Sequence, residues 1–570
     1  MAVSGSLPAG GAASPAPPAA RPGSLRRHER LPTLIATLLV AAPLLLFIVY
    51  PLAFILGRSF STPEGLGFDN YATMLSTARF TRILYNSFEV TLVSTGIAVA
   101  LAYAFAYAVQ RTAMPGKNLF RIIALVPLFA PSLVQAQGLV LLFGRNGLIN
   151  RSFGTGIEIY GYWGIVISMV LYVFPYAFLI LSAALAVADS RLYESAKMLG
   201  AGPWRTFRTV TLPSTKYGLA ASIFVCFTLV ITDFGNPMVI GANYNVLATE
   251  VYNQVIGQAN FERGTVIGMV LLVPAAVAAI LEKYISRRQY SLVSDQSRPL
   301  VIVPNRRRDL AFAGLSAGIA AAILSIVAVV VYASFVHLWP YRMTFSLRHY
   351  AFDVQNGIQP LWNSIYISLM AAGIGVLAVT ASSYVIEKFK SAVTRPLYFL
   401  SILPAAVPGM VLGLGYILAF NDPANPVYLI YGTLLIIAIV NVYYYHAQGF
   451  LIASTSMKQI SGTFDEASAT LGGTRLQTLR KVTLPLIAPT LIGVAVFFFM
   501  RSMVTLSAVI FLITPQTQVA AVSVLLLEDR GATNQAAAFS VCIMATVIAA
   551  LLLVRLGLRV AGVKGVSLIR

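Results

Sequence analysis

From Leu34 to Leu56 the chain runs for 23 residues without a charge, and eleven further apolar runs of similar kind follow it. A helix needs about 20 such residues to cross the hydrocarbon layer, and in lipid only helices and closed barrels satisfy every backbone polar group. Runs this long are helical, because buried strands are far shorter. The pattern therefore restricts the chain to a polytopic helical membrane protein. Composition agrees where it decides: 11% of residues are charged and 58% hydrophobic, against about 25% charged in soluble domains. The net charge of +20 requires no nucleic-acid partner. Its basic residues sit in short loops, as an orientation signal does, and no soluble basic domain exists to carry a nucleic acid.

The runs predict spans 1–6 at about 33–57, 86–110, 119–143, 161–188, 217–241 and 264–283. Spans 7–12 follow at about 311–335, 362–387, 396–420, 427–453, 485–514 and 533–559. Residues 1–30 read as a disordered tail, because 20 of the first 25 are Gly, Ala, Pro or Ser and cannot bury enough apolar surface to order. They are not a cleaved signal, since the basic cluster Arg21, Arg26, Arg27 and Arg30 comes at the end of the low-complexity stretch and the first apolar run is long enough to span. Residues 31–283 form a first six-span domain, 284–309 a polar linker with the triplet Arg306-Arg307-Arg308, and 310–570 a second domain. With the N-terminus inside, 30 of the 40 Lys and Arg residues fall on the inner face and 9 on the outer. That bias places both termini and the linker in the cytoplasm.

The halves repeat. Glu194-Ser195-Ala196, Gly200 and Leu212-Pro213 recur 272 positions later as Glu466-Ala467-Ser468, Gly472 and Leu484-Pro485. Arg208, Val210 and Thr211 match Arg480, Val482 and Thr483. Asn86-Ser87 matches Asn363-Ser364, and Pro127 and Pro131 match Pro404 and Pro408, each 277 positions apart. Paired prolines in corresponding spans predict paired helix kinks, and interrupted helices in matching positions of a transporter point to its substrate path. Both Glu-containing loops fall on the inner face. Thr463 and Glu466 read as a capping box opening a short helix, Gly200 and Gly472-Gly473 as left-handed stops, and Pro203 as the first residue of a second helix. Each loop is thus expected to be a helix, an elbow and a helix, with its Glu near the first helix's start, where the dipole favours negative charge.

This Glu-Ala-Ala, Gly and Leu-Pro pattern resembles the signature of the inner-membrane permease subunits of binding-protein-dependent ABC importers, with one Ala of each triplet replaced by Ser195 or Ser468. The resemblance covers both halves. It implies an all-α polytopic fold of about 12 transmembrane helices in two parallel six-helix repeats, the type I ABC importer permease fold, in a bacterial inner membrane. It also implies that Glu194, Ser195, Ala196, Gly200, Leu212 and Pro213, with Glu466, Ala467, Ser468, Gly472, Leu484 and Pro485, couple the spans to a separate cytoplasmic ATPase dimer. The chain has no phosphate loop, since Gly116-Lys117 lacks the earlier glycine and the following Ser or Thr. No cofactor of its own is expected, because ATP binds the partner. A solute-binding protein would dock at the outer loops, about 58–85 and 336–361. Fusion of the halves, with Thr232-Asp233-Phe234-Gly235-Asn236-Pro237, resembles the ferric iron and phosphonate group. The similarity of pattern favours 2-aminoethylphosphonate, with ferric iron second.

Asp233 in span 5 and Arg501 in span 11 are costly in lipid. They are expected, with Asn236, to line the translocation path, or else to form a structural ion pair or lie near the interface. Cys226, Cys542 and His446 show no metal-ligand spacing and read as core residues. A secondary transporter with two parallel halves is the rival class, and the repeated loops argue against it. An intramembrane enzyme would need a nucleophile–base or metal constellation, and the loops offer none.

Overall fold

The computed structural model describes residues 27–187, 189–290, 302–352, 357–389, 394–560 and 562. The first 26 residues of the expected tail, residues 291–301 of the expected linker and the C-terminal residues 563–570 lie outside the described residues. Among the described residues ten helices are long and apolar enough to span: Leu34–Phe60, Ala78–Arg111, Tyr162–Ala186, Pro203–Ile231, Phe261–Ser286, Arg306–Ser334, Gln359–Lys388, Leu434–Lys458, Arg475–Val504 and Thr533–Val560. They are spans 1, 2, 4–8 and 10–12. Spans 3 and 9 are bent pairs, and counting each pair as one span gives twelve.

The paired prolines break their spans where kinks were expected. Lys117–Phe129 meets Leu133–Phe153 at 103°, and Thr394–Ala406 meets Gly409–Phe420 at 111°. Both first segments end in a 3₁₀ turn, Val126–Phe129 and Leu403–Ala406. Next, Ala130 and Val407 are extended, the conformation that a following proline imposes, and the chain turns there. Spans 5 and 11 also end earlier than their hydropathy predicts, at Ile231 and Val504. Short helices follow, Gly235–Ile240 and Leu247–Tyr252 in the first half and Ala520–Asp529 in the second.

The repeated Asn-Ser pairs hold these returning helices. Ser87 Oγ accepts the Leu247 N–H at 2.7 Å, and Ser364 Oγ accepts that of Ala520 at 2.8 Å. Asn86 Nδ2 donates to the Asn245 carbonyl, and Asn363 Nδ2 to those of Gln516 and Gln518. All four side chains are buried. The side chains thus satisfy helix-start backbone groups that lipid could not.

Each half lends its first span to the other. Span 1 lies on the second segment of span 9, where the Tyr416 hydroxyl donates to the Phe47 carbonyl at 2.9 Å. Span 7 lies on span 3, and its Asp309 Oδ1 accepts the N–H of Ala113, in the loop that leads into span 3, at 3.2 Å. Glycines permit both approaches. A Cβ on Gly138 would stand 2.6 Å from Ile326 Cγ2, and one on Gly415 would stand 2.9 Å from the Pro51 carbonyl oxygen. Small residues at helix contacts are how helices pack closely in lipid.

Candidate functional site: two repeated loops and a central cavity

In the first loop Asp189 caps the helix Ser190–Met198 by accepting the Arg191 N–H. Gly200, with φ +71°, stops it. The Gly200 N–H donates to the Lys197 carbonyl and the Ala201 N–H to that of Ala196. The second loop repeats this at Gly472, φ +74°, with Gly472 N–H to Ala469 and Gly473 N–H to Ser468. This is the Schellman pair of bonds, which needs a left-handed residue. Pro203–Thr206 and Arg475–Thr478 then start the second helices. These run into spans 5 and 11 through π turns, Phe207–Thr211 and Leu479–Thr483. The π turns explain the repeated Leu-Pro, because a proline ring clashes with the carbonyl four residues back in a regular helix and a widened turn relieves it.

Two details differ from the sequence reading. Thr463 is the first helical residue after the cap Gly462, since the Thr463 N–H bonds back to Ser461 Oγ. The capping box belongs to the second helix, between Thr474 and Gln477. Glu466 sits in its helix's first turn, but Glu194 is the fifth residue of its helix, because Asp189 supplies the negative charge at that start.

Glu194 and Glu466 are exposed and form no ion pair among the described residues. Beside them equivalent positions expose apolar side chains: Leu192 with Phe464, Trp204 with Leu476, and Leu199 (82% exposed) with Leu471 (87%). Ala196 is buried, whereas Ala467 is exposed.

Each loop is latched to the basic residue that closes a long span. The Arg111 guanidinium, at the end of span 2, stands 4.9 Å over the Tyr193 ring. Lys388 Nζ, at the end of span 8, lies 2.6 Å from Asp465 Oδ2. Both partners directly precede the repeated Glu, so one position holds a cation–π contact in one half and an ion pair in the other. Asp465→Asn is therefore expected to lower uptake about two- to fivefold, the worth of a partly exposed ion pair. Asp465→Glu should retain activity, and salt titration of uptake should mimic the Asn variant.

At the centre, where spans 4, 5, 10 and 11 meet the first break, lies a cavity of about 60 Å³. Its walls obey the duplication: Tyr172 and Tyr444, Leu229 and Arg501, Asp233 and Thr505, and Gly235 and Ser507 all line it, each pair 272 positions apart. Tyr176, Tyr445 and Ser132 line it as well. The Tyr172–Tyr444 pair was readable from the repeat; the other three carry no such signal.

Asp233 and Arg501 share this cavity without forming an ion pair. Asp233 lies beyond the end of span 5, not within it. Its Oδ2 accepts the Asn236 N–H at 3.0 Å and Asn236 Nδ2 at 3.1 Å. Asn236 Oδ1 accepts the Ala136 N–H, so Asn236, fully buried, ties the returning helix to the broken span and is not among the cavity's lining residues. Arg501 Nη1 donates to the Tyr176 hydroxyl at 2.6 Å, and its guanidinium stands 4.7 Å from the Tyr445 ring centroid. His446 is buried between the Ser401 carbonyl and Ser382 Oγ. Cys226 is buried and Cys542 half-buried, both as free thiols, and among the described residues no cluster of His, Cys, Asp and Glu could hold a metal.

Fold and loops together define a duplicated polytopic membrane protein with a matched pair of exposed loops. The chain belongs to the family of binding-protein-dependent transport system inner membrane components, whose model matches residues 113–290 and again 373–561. It is thus an ABC importer permease with both halves fused. It is 29% identical over 534 residues to the ferric transport system permease protein FbpB of Actinobacillus pleuropneumoniae, covering 89% of this chain and 75% of that one. It is 31% identical over 507 residues to the putative ferric transport system permease protein FbpB 1 of Haemophilus influenzae, covering 85% and 79%. The spermidine/putrescine transport system permease protein PotB of Salmonella typhimurium is 25% identical over 266 residues, covering 43% of this chain and 92% of its own.

Proposed function

We propose that this chain forms the translocation path of a ferric-iron importer in a bacterial inner membrane, with both termini in the cytoplasm. The observation that carries the substrate is the two relatives with ferric names, which align along most of this chain and most of their own length. Nothing in the comparisons supports 2-aminoethylphosphonate, and the order of the two expected substrates reverses. The PotB alignment spans less than half of this chain and weighs less.

In this reading a separate ATPase dimer docks under the loops, one subunit at Glu194 with Leu199 and the other at Glu466 with Leu471. The matched exposure of an acidic and an apolar residue in both loops supports it. Closure of the dimer moves each first helix, and the latches at Arg111 and Lys388 pass the movement to spans 2 and 8. A binding protein releases the solute at the outer loops, where hairpins Ser61–Leu66 and Val336–Phe345 expose Leu66 and Phe345. The solute crosses through the cavity lined by Asp233 and Arg501.

Proteoliposomes holding the full chain, the ATPase and the binding protein test the substrate. ⁵⁵Fe is expected to accumulate when ATP is enclosed with the ATPase. Accumulation of labelled 2-aminoethylphosphonate without iron would overturn the assignment.

A further inference from the structure

We propose that Arg501 is the anion-recognising residue of the path, and that the solute crosses the central cavity carrying an anionic oxygen group. For a ferric cargo this means that the metal passes as a complex with a small oxyanion, not as the bare ion. The anionic requirement stands on the cavity; that its bearer contains iron rests on the proposed function.

Four observations carry this. First, no carboxylate pairs with Arg501 among the described residues: its contacts are the Tyr176 hydroxyl at 2.6 Å and the Tyr445 ring at 4.7 Å, both neutral groups. A guanidinium at this depth is costly unless a counter-charge arrives. Second, the one acidic side chain lining the cavity forms no ion pair with Arg501. Asp233 Oδ2 holds the backbone and side-chain N–H groups of Asn236, and so anchors the break in span 5. Third, the fold does not require an arginine here. The same position of the first half is Leu229, which lines the same cavity; the arginine is what distinguishes the second half. Fourth, Arg501 is partly accessible and lines the cavity, where its planar donors match a phosphate, carbonate or carboxylate edge.

Charge decides between the bare ion and the complex. Coulomb repulsion scales with the product of the charges and grows as water is excluded, so a trivalent cation is repelled by Arg501 three times as strongly as a monovalent one. A bound oxyanion lowers the charge of the cargo and turns part of that repulsion into a charge-assisted hydrogen bond.

The test uses the full chain with its ATPase and binding protein in proteoliposomes. ⁵⁵Fe is supplied in turn with ³²P-phosphate, ¹⁴C-citrate and ¹⁴C-bicarbonate, and both labels are counted inside. At least one anion is expected to accumulate in proportion to iron. Arg501→Gln should lower uptake by about tenfold or more, the loss of a hydrogen bond to a charged group, and Arg501→Lys should retain part of it. Iron that accumulates with none of the three labels overturns the proposal, and this readout needs no variant to fold. Wild-type rates in Arg501→Gln would overturn it as well. If wild type takes up no iron but does take up 2-aminoethylphosphonate, the ferric reading fails alone. Arg501→Gln must then lose phosphonate uptake, and unchanged phosphonate uptake ends the proposal.

Discussion

Replacing Glu194 and Glu466 together by alanine is expected to abolish ATP-driven uptake while leaving the chain folded. Neither carboxylate pairs within the described residues, and both are exposed. The elbows are held by backbone bonds to Gly200, Ala201, Gly472 and Gly473, so the glutamate side chains are not needed for the local structure. Alanine is also the better helix former. What is lost is a charge-assisted contact to the partner, worth about 1.5–3 kcal/mol in each loop. That is roughly ten- to a hundredfold per site, so each single variant should keep a measurable rate and the double variant almost none. Uptake and co-purification of the ATPase are measured side by side. A double variant that transports at the wild-type rate would remove the loops from the mechanism.

The largest effect on stability is expected where the halves exchange their first spans. At Gly138 a side chain meets the Ile326 carbonyl oxygen at 2.9 Å as well as its methyl group, and at Gly415 it meets the Pro51 carbonyl oxygen and Ile55. Backbone atoms cannot step aside as a flexible side chain can. Gly138→Leu and Gly415→Leu must therefore push spans 7 and 1 off their seats, at about 1–3 kcal/mol each or more. Gly57, also in span 1, has no atom within 4 Å of its added Cβ, and Gly57→Leu should be neutral. Thermal unfolding in detergent, followed by size-exclusion chromatography, separates the three. Equal stability of Gly415→Leu and Gly57→Leu would contradict the exchange.

Much of this organisation was legible in the chain, because its cues are local. Unbroken apolar runs give spans, a glycine six residues after each Glu gives an elbow, and the 272-residue offset of the loops also relates Tyr172 to Tyr444 in the cavity. The breaks in spans 3 and 9 were legible as positions but not as angles. Two prolines four residues apart can kink or turn a helix, and the extended Ala130 and Val407 between them decide for a turn. The exchange of first spans has no local cue. It rests on contacts such as Tyr416 with Phe47, separated by hundreds of residues. Of the alternatives for Asp233 and Arg501, the ion pair is absent for a reason that the chain does display: an Asp three residues before Asn236, at the head of a short helix, bonds its own backbone first. The latches were also on display, as two basic residues, Arg111 and Lys388, 277 positions apart at the ends of corresponding spans. Their partners Tyr193 and Asp465 differ in chemistry, which hid the common role.

The central claim is that this permease is driven through its two loops by a separate ATPase. It is tested most directly by solute uptake into proteoliposomes holding the full chain and its binding protein, with and without the ATPase subunit and enclosed ATP. Accumulation is expected only when both ATPase and ATP are present, and not with Glu194→Ala/Glu466→Ala. Uptake by the chain without the ATPase, driven by an ion gradient alone, would contradict the claim and make the protein a secondary transporter.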